Sequence, residues 1–167
     1  MRIYLVGFMG SGKSFLGKLW AAQNNLSFYD LDEMIEEIEC NYLKEIFDKK
    51  GEEYFRKSEA EILRKTIKIE NCIIACGGGT PCYYDNINWI NENGITVFLN
   101  PTIEILIKNL LPEKNKRPLL KNIDDDDLQN FIENKLAERT PFYSESKIIL
   151  DNKNLNKEGF HEILKNI

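Results

Sequence analysis

Gly7-Phe8-Met9-Gly10-Ser11-Gly12-Lys13-Ser14 satisfies the spacing GxxxxGK[ST] at every fixed position. Residues of these types in this order can hold a chain of phosphates. The glycines let successive backbone N–H groups curl around phosphate oxygens without a Cβ in the way, and a helix opening at this point adds positive potential. The Lys13 ammonium then reaches the terminal phosphates, and the Ser14 hydroxyl is suited to ligate Mg²⁺. The alternative, a glycine-rich turn followed by a chance Lys-Ser, does not suit the context. A strand-like run, Arg2 to Val6, precedes the loop, and a helical rhythm through Phe15, Leu16, Leu19 and Trp20 follows it. Gly10, Ser11, Gly12, Lys13, Ser14 and Phe15 are the expected contacts of a nucleoside triphosphate.

The loop establishes nucleotide binding and leaves the reaction open. Guanine-nucleotide switches fit poorly: Asp48-Lys49-Lys50-Gly51 has the form DxxG but sits in charged helical sequence, and Asn152-Lys153-Asn154-Leu155 lacks the Asp of NKxD. The third strand-like run ends in Cys76-Gly77-Gly78-Gly79 with no acidic residue, so the metal needs a carboxylate from elsewhere. Asp30-Leu31-Asp32 follows the second run, on the sheet edge where open α/β folds bind their ligands. One carboxylate there, Asp30, can orient Mg²⁺ through its waters, and the other, Asp32, can accept a hydrogen bond from a substrate hydroxyl. Capping of the following helix is a compatible role for the same pair.

Only five of the 22 basic residues are Arg, at positions 2, 56, 64, 117 and 139. A chain so biased toward Lys keeps Arg where a bidentate fork matters, although a surface ion pair is the ordinary alternative for any one of them. Arg56 has Glu59 one helical turn away, Arg117 lies beside Pro118, and Arg139 precedes Thr140-Pro141-Phe142-Tyr143.

To position these groups the chain has 167 residues, enough for one domain over 1–167 and too few for two. Apolar residues make up 43% and charged residues 29%, an ordinary globular composition. The net charge of −5 argues against broad binding to nucleic acid or anionic lipid, and no apolar run approaches a membrane span. The start is too short and too soon broken by glycine for a signal peptide, so a cytoplasmic protein is expected. Cys40, Cys72, Cys76 and Cys82 form no CxxC pair and read as incidental or buried thiols.

Short apolar runs at Arg2–Val6, Leu26–Tyr29, Cys72–Cys76, Ile95–Leu99 and Lys147–Leu150 alternate with helical patterns, which predicts a five-stranded parallel α/β sheet covered on both faces. About forty residues separate the second and third runs, more than one crossover helix needs, so a helical insertion is expected over about 31–62, broken near Asn41 and at Gly51. Pro112 to Asp127 reads as a mobile loop, with Asp124 to Asp127 supplying charge to the N-terminus of a helix that ends near Arg139.

Taken in order and spacing, the P-loop, Asp-Leu-Asp, Phe-Arg-x-x-Glu, Gly-Gly-Gly, Arg-Pro-Leu-Leu and Arg-x-x-x-Tyr resemble shikimate kinase, from Arg2 to about Leu150. The resemblance implies a three-layer α/β/α sandwich of the nucleoside-monophosphate-kinase kind, with a substrate-binding helical subregion and a lid over about 112–124. It implies transfer of the ATP γ-phosphate to the 3-hydroxyl of shikimate, with Mg²⁺, by a monomer whose partners are ATP and shikimate. By position, Asp30 resembles the metal-orienting Asp and Asp32 the Asp that binds substrate hydroxyls and acts as base. Arg56, held by Glu59, and Arg139 resemble the clamp on the substrate carboxylate. Gly78 and Gly79 resemble its backbone contacts, and Arg117 the lid arginine over the phosphates. Where the family often carries an adenine-stacking Arg seven residues before the lid Arg, this chain has Leu110, which puts an apolar wall against the purine and predicts weak base discrimination. The stretch from Asn152 to Asn156 lacks the proline of the family's adenine loop, and Phe15 replaces a small hydroxyl residue. The competing readings are a kinase of another acceptor, gluconate or a nucleotide, and a catalytically silent nucleotide-binding module.

Overall fold

The computed structural model describes residues 1–116 and 119–167, with Asn115 and Lys116 described by backbone only. Its strands are β1 (Arg2–Val6), β2 (Ser27–Asp30), β3 (Cys72–Ala75), β4 (Ile95–Asn100) and β5 (Ile148–Asp151). They form one sheet in the order β2-β3-β1-β4-β5, every pair parallel, with Ile3 opposite both Ile73 and Ile95. Ile3, Tyr4, Leu5 and Val6 are all fully buried, as the central strand of a sheet covered on both faces must be.

The two-residue period of β1 divides the core. Ile3 and Leu5 pack with Leu16 and Trp20 of α1 (Lys13–Gln23) and with Phe160 and Ile163 of α7 (Phe160–Lys165). Tyr4 and Val6 face the other layer, built from α2 (Leu31–Glu39), α3 (Leu43–Lys65), α4 (Asn86–Asn93), α5 (Ile103–Leu110) and α6 (Leu128–Tyr143). The molecule is a three-layer α/β/α sandwich. Each fully buried Leu or Ile contributes roughly 1.5 to 3 kcal/mol, so the interlocked layers hold the sheet edge rigid beneath whatever binds there.

Element ends differ from the sequence pattern in instructive ways. β2 begins and ends one residue later than Leu26–Tyr29, because pairing with β3 continues through Asp30 opposite Ala75. The insertion is two helices broken at Cys40, which takes a left-handed φ of 49°, and α3 is kinked at Gly51, with φ 83° and ψ 169°. Only glycine enters that region of backbone space without strain. α6 runs a full turn past Arg139, through Pro141, because Tyr143 at its end is fully buried.

The stretch expected to be a mobile loop has local order among its described residues. Leu111–Lys116 forms 3₁₀ turns, Lys114 pairs with Asp125 at 2.5 Å, and Leu120 is fully buried in the core. Arg117 and Pro118 lie outside the described residues. Cys72 and Cys76 are buried, Cys40 is exposed and Cys82 half-buried, all as free thiols. Among the described residues no helix is long and apolar enough to cross a membrane.

Candidate active site

Parallel strands bring their carboxyl ends to one edge, so the loop after β1, the acidic pair closing β2 and the glycines after β3 meet there. The phosphate loop turns through left-handed backbone at Gly10 (φ 79°) and Gly12 (φ 91°) before α1 starts at Lys13. Lys13 Nζ sits in the cup of the loop, donating to Gly7 O at 2.8 Å and Phe8 O at 2.9 Å, with Ser11 Oγ at 3.4 Å. Ser11 is buried, whereas Ser14 and Phe15 are exposed at the mouth.

Ser14 Oγ donates to Asp30 Oδ2 at 2.6 Å, and the other oxygen of Asp30 accepts from the Asp32 backbone N–H at 3.1 Å. Asp30 therefore caps α2 and faces the phosphate loop at once. Hydroxyl and carboxylate are hard oxygen donors suited to Mg²⁺, which takes one or two protein oxygens beside substrate phosphates and water. Among the described residues no cluster of three His, Cys, Asp or Glu is arranged to hold a metal unaided.

The three glycines after β3 work by lacking side chains. A Cβ on Gly77 would stand 2.9 Å from Asp32 Oδ1 and 3.0 Å from Glu59 Oε1; one on Gly78 would stand 3.2 Å from Arg139 Nη1; one on Gly79 would stand 2.6 Å from Arg56 Nη2. Each glycine thus seats one functional side chain, and together they bring Asp32, Arg139 and Arg56 around one spot beside the phosphate loop. Met9 N lies 3.4 Å from the Gly78 Cβ position, which ties that spot to the loop itself.

Charges are set by burial and by neighbours. Burial, reinforced by Asp30 and Glu59 and opposed by Lys13 and Arg56, pushes Asp32 up to about 7. A carboxylate poised there accepts a proton readily near neutral pH. Burial works against the Arg56 charge, yet Glu59, whose Oε2 accepts from Nη1 at 2.8 Å, raises its pKa overall, with smaller help from Tyr83 and Glu52. Glu59 has no exposed surface, and its other oxygen accepts from Thr80 Oγ1 at 2.5 Å.

Several contributors escaped the sequence reading. Gly77, Thr80, Glu52 and Tyr83 all bear on Arg56 or Glu59: Glu52 Oε1 lies 3.4 Å from both Nε and Nη2 of Arg56, and the Tyr83 ring lies 4.5 Å from its guanidinium carbon. Glu52 had a local signal, an acid four residues before an arginine on a helix. Thr80 and Tyr83 had none, because only the packing of the segment after β3 against α3 brings them there.

The expectation for Leu110 is overturned. Leu110 is fully buried and lies under the phosphate loop, where a Cβ on Gly10 would stand 2.8 Å from its Cγ. It offers no wall to a purine, and no weak base preference follows from it. Its neighbour Asn109 is the residue turned outward, donating from Nδ2 to Gly10 O at 2.8 Å.

This geometry agrees with the relatives of the chain. The shikimate kinase family model matches residues 9–167. The chain belongs to that family. A shikimate kinase of Bacteroides thetaiotaomicron is 42% identical over 151 residues, covering 90% of this chain and 86% of that one. The crystal structure of the Bacteroides thetaiotaomicron enzyme superposes with a TM-score of 0.92 at 38% identity, covering 99% of this chain and 98% of that one. An Acinetobacter baumannii shikimate kinase solved in complex with shikimate matches with a TM-score of 0.86 at 28% identity, over 98% of this chain and 90% of that one. The relatives named here are all shikimate kinases, and none is a kinase of gluconate or of a nucleotide.

Proposed function

We propose that this chain is a shikimate kinase that transfers the γ-phosphoryl group of ATP to the 3-hydroxyl of shikimate, giving shikimate 3-phosphate and ADP on the way to chorismate. The observation that carries it is the glycine triplet, which seats a base and two arginines beside a phosphate loop: one anionic acceptor, one hydroxyl and one phosphate chain fit together there. Family membership supports the same reading.

In this reading the backbone of Gly10 to Lys13, the Lys13 ammonium and Phe15 at the mouth bind the nucleotide. Arg56 and Arg139 grip the shikimate carboxylate, and the peptides of Gly78 and Gly79 line the ring. Asp32 takes the proton of the attacking hydroxyl as its oxygen bonds to phosphorus and the bond to the β-phosphate oxygen breaks. Ser14 and Asp30 would hold Mg²⁺, which when bound neutralises phosphate charge. Arg117, from the lid over about 112–124, closes over the phosphates. The insertion over about 31–62 carries the acceptor side, all within a single domain acting as a cytoplasmic monomer.

An ADP-release assay with ATP and Mg²⁺ against shikimate, gluconate and nucleoside monophosphates tests the proposal. Shikimate should be the preferred acceptor; a preference for another would overturn it. The clamp makes a sharper demand. Arg56→Lys and Arg139→Lys should each weaken shikimate binding by about 1.5 to 3 kcal/mol, because an ammonium cannot form the bidentate pair. Calorimetry should find ATP affinity nearly unchanged in both; a loss of ATP binding with shikimate binding intact would refute the assignment. Gly79→Ala should act on the same contact from beneath. Its new Cβ drives into a guanidinium that Glu59 holds from the side, so the KM for shikimate should rise about tenfold, about 1.4 kcal/mol, with the KM for ATP within about twofold.

A further inference from the structure

Tyr143 ends α6 one turn after Arg139, on the same helix face. It is fully buried, with its ring packed against Phe98 at a centroid distance of 5.0 Å. Its hydroxyl donates to Gly78 O at 2.5 Å, and Arg139 Nη1 packs against the same glycine, 3.2 Å from where a Gly78 Cβ would stand. Burial pushes the pKa of that hydroxyl well above the usual tyrosine value, so it stays a neutral donor at any working pH. Gly78 O and the N–H of Gly79 belong to one planar peptide and point in opposite directions. Fixing the carbonyl therefore fixes the aim of the N–H.

We propose that Tyr143 is a positioning residue for the acceptor: its hydroxyl anchors the Gly78–Gly79 peptide against which Arg139 packs, so that the guanidinium and the peptide N–H are held toward the bound shikimate as one unit. The inference rests on the shikimate kinase reading and extends it to a side chain that touches no substrate. Without the hydroxyl, two contacts supplied by different segments, α6 and the turn after β3, lose their common anchor. The Lys13 cup of the phosphate loop is held by its own carbonyls and by Asn109 of α5 at Gly10 O, contacts that do not include the Tyr143 hydroxyl.

Steady-state kinetics of Tyr143→Phe, alone and combined with Arg139→Lys, tests this. Tyr143→Phe should raise the KM for shikimate about tenfold, leaving the KM for ATP within about twofold and kcat within about threefold. In the Arg139→Lys background the same change should have an effect below about twofold, because the unit is already broken. Equal shifts in both KM values, or a tenfold effect that persists undiminished beside Arg139→Lys, would overturn the proposal. Should Tyr143→Phe be recovered unfolded, 4-aminophenylalanine and 4-methylphenylalanine at position 143 are compared. Both fill the space of the hydroxyl and only the first has a donor, so only the second should raise the shikimate KM; equal behaviour of the two would count against the proposal. A wild-type chain that does not turn over shikimate overturns the functional reading itself, whereas shikimate turnover with an unchanged KM in Tyr143→Phe overturns this inference alone.

Discussion

Lys13→Ala is expected to lower kcat by about a thousandfold or more while the protein remains folded. The ammonium donates to the carbonyls of Gly7 and Phe8 inside the loop, so it stands where the terminal phosphates of a nucleotide arrive. A positive charge already in place there stabilises the charge that spreads over the transferred group without reorganising during the reaction. The cost to folding is small: the lost hydrogen bonds amount to about 1 to 2 kcal/mol, and the half-buried side chain supports neither core cluster. Steady-state kinetics together with a thermal melt decide the matter; unchanged kcat in a folded variant would remove the phosphate-loop reading.

Asp32→Asn should move activity and stability in opposite directions. Without a proton acceptor, kcat should fall by about 10² to 10⁴. The stability change follows from a carboxyl held at about 7 in the folded chain, where burial is the main cause, against the ordinary 3.8. Between those values the folded state keeps a proton that the unfolded chain has released. The folded state is therefore favoured at acid pH, and that contribution is lost as pH rises toward about 7. An amide of the same shape never pays the cost of a buried charge. In metal-free protein at pH 8 the variant should be more stable than the wild type by at least about 1 kcal/mol, about 2 to 4 °C in Tm, and the gap should close toward pH 4. Thermal melts of both proteins across this pH range measure it. A variant less stable than the wild type at pH 8 would show that the carboxylate is better satisfied in the fold than its surroundings indicate.

Much of the chemistry was legible in the chain because it is local. The phosphate loop and the acidic pair each need only a handful of adjacent residues in the right order, and alternating short strands and helices force a parallel sheet whose carboxyl edge collects them. The break at Gly51 was visible for the same reason, since a lone glycine in a charged helical run interrupts it whatever surrounds it. Leu110 shows where counting along the chain misleads. It continues an apolar stripe with Ile103, Leu106 and Ile107, the pattern of a core-facing helix side, whereas counting back from Arg117 assumes a fixed loop length and turns it toward the nucleotide. The rotation of α5 about its own axis decides between the two, and packing of Leu106 and Leu110 against the sheet sets that rotation.

What only the tertiary structure decided is the meeting of segments far apart in sequence. Gly77, Gly78 and Gly79 carry ordinary backbone angles and look like any flexible run; their purpose appears when Asp32, Arg139 and Arg56 arrive from α2, α6 and α3 to within a bond or two of where their side chains would be. The raised pKa of Asp32 belongs to the same class, because a carboxyl feels burial and the charges of Asp30, Glu59, Lys13 and Arg56 through space and not along the chain. Short-range spacing specifies which groups are present, while distances of about 3 Å between remote segments depend on every packed layer beneath them, and no local pattern encodes that sum.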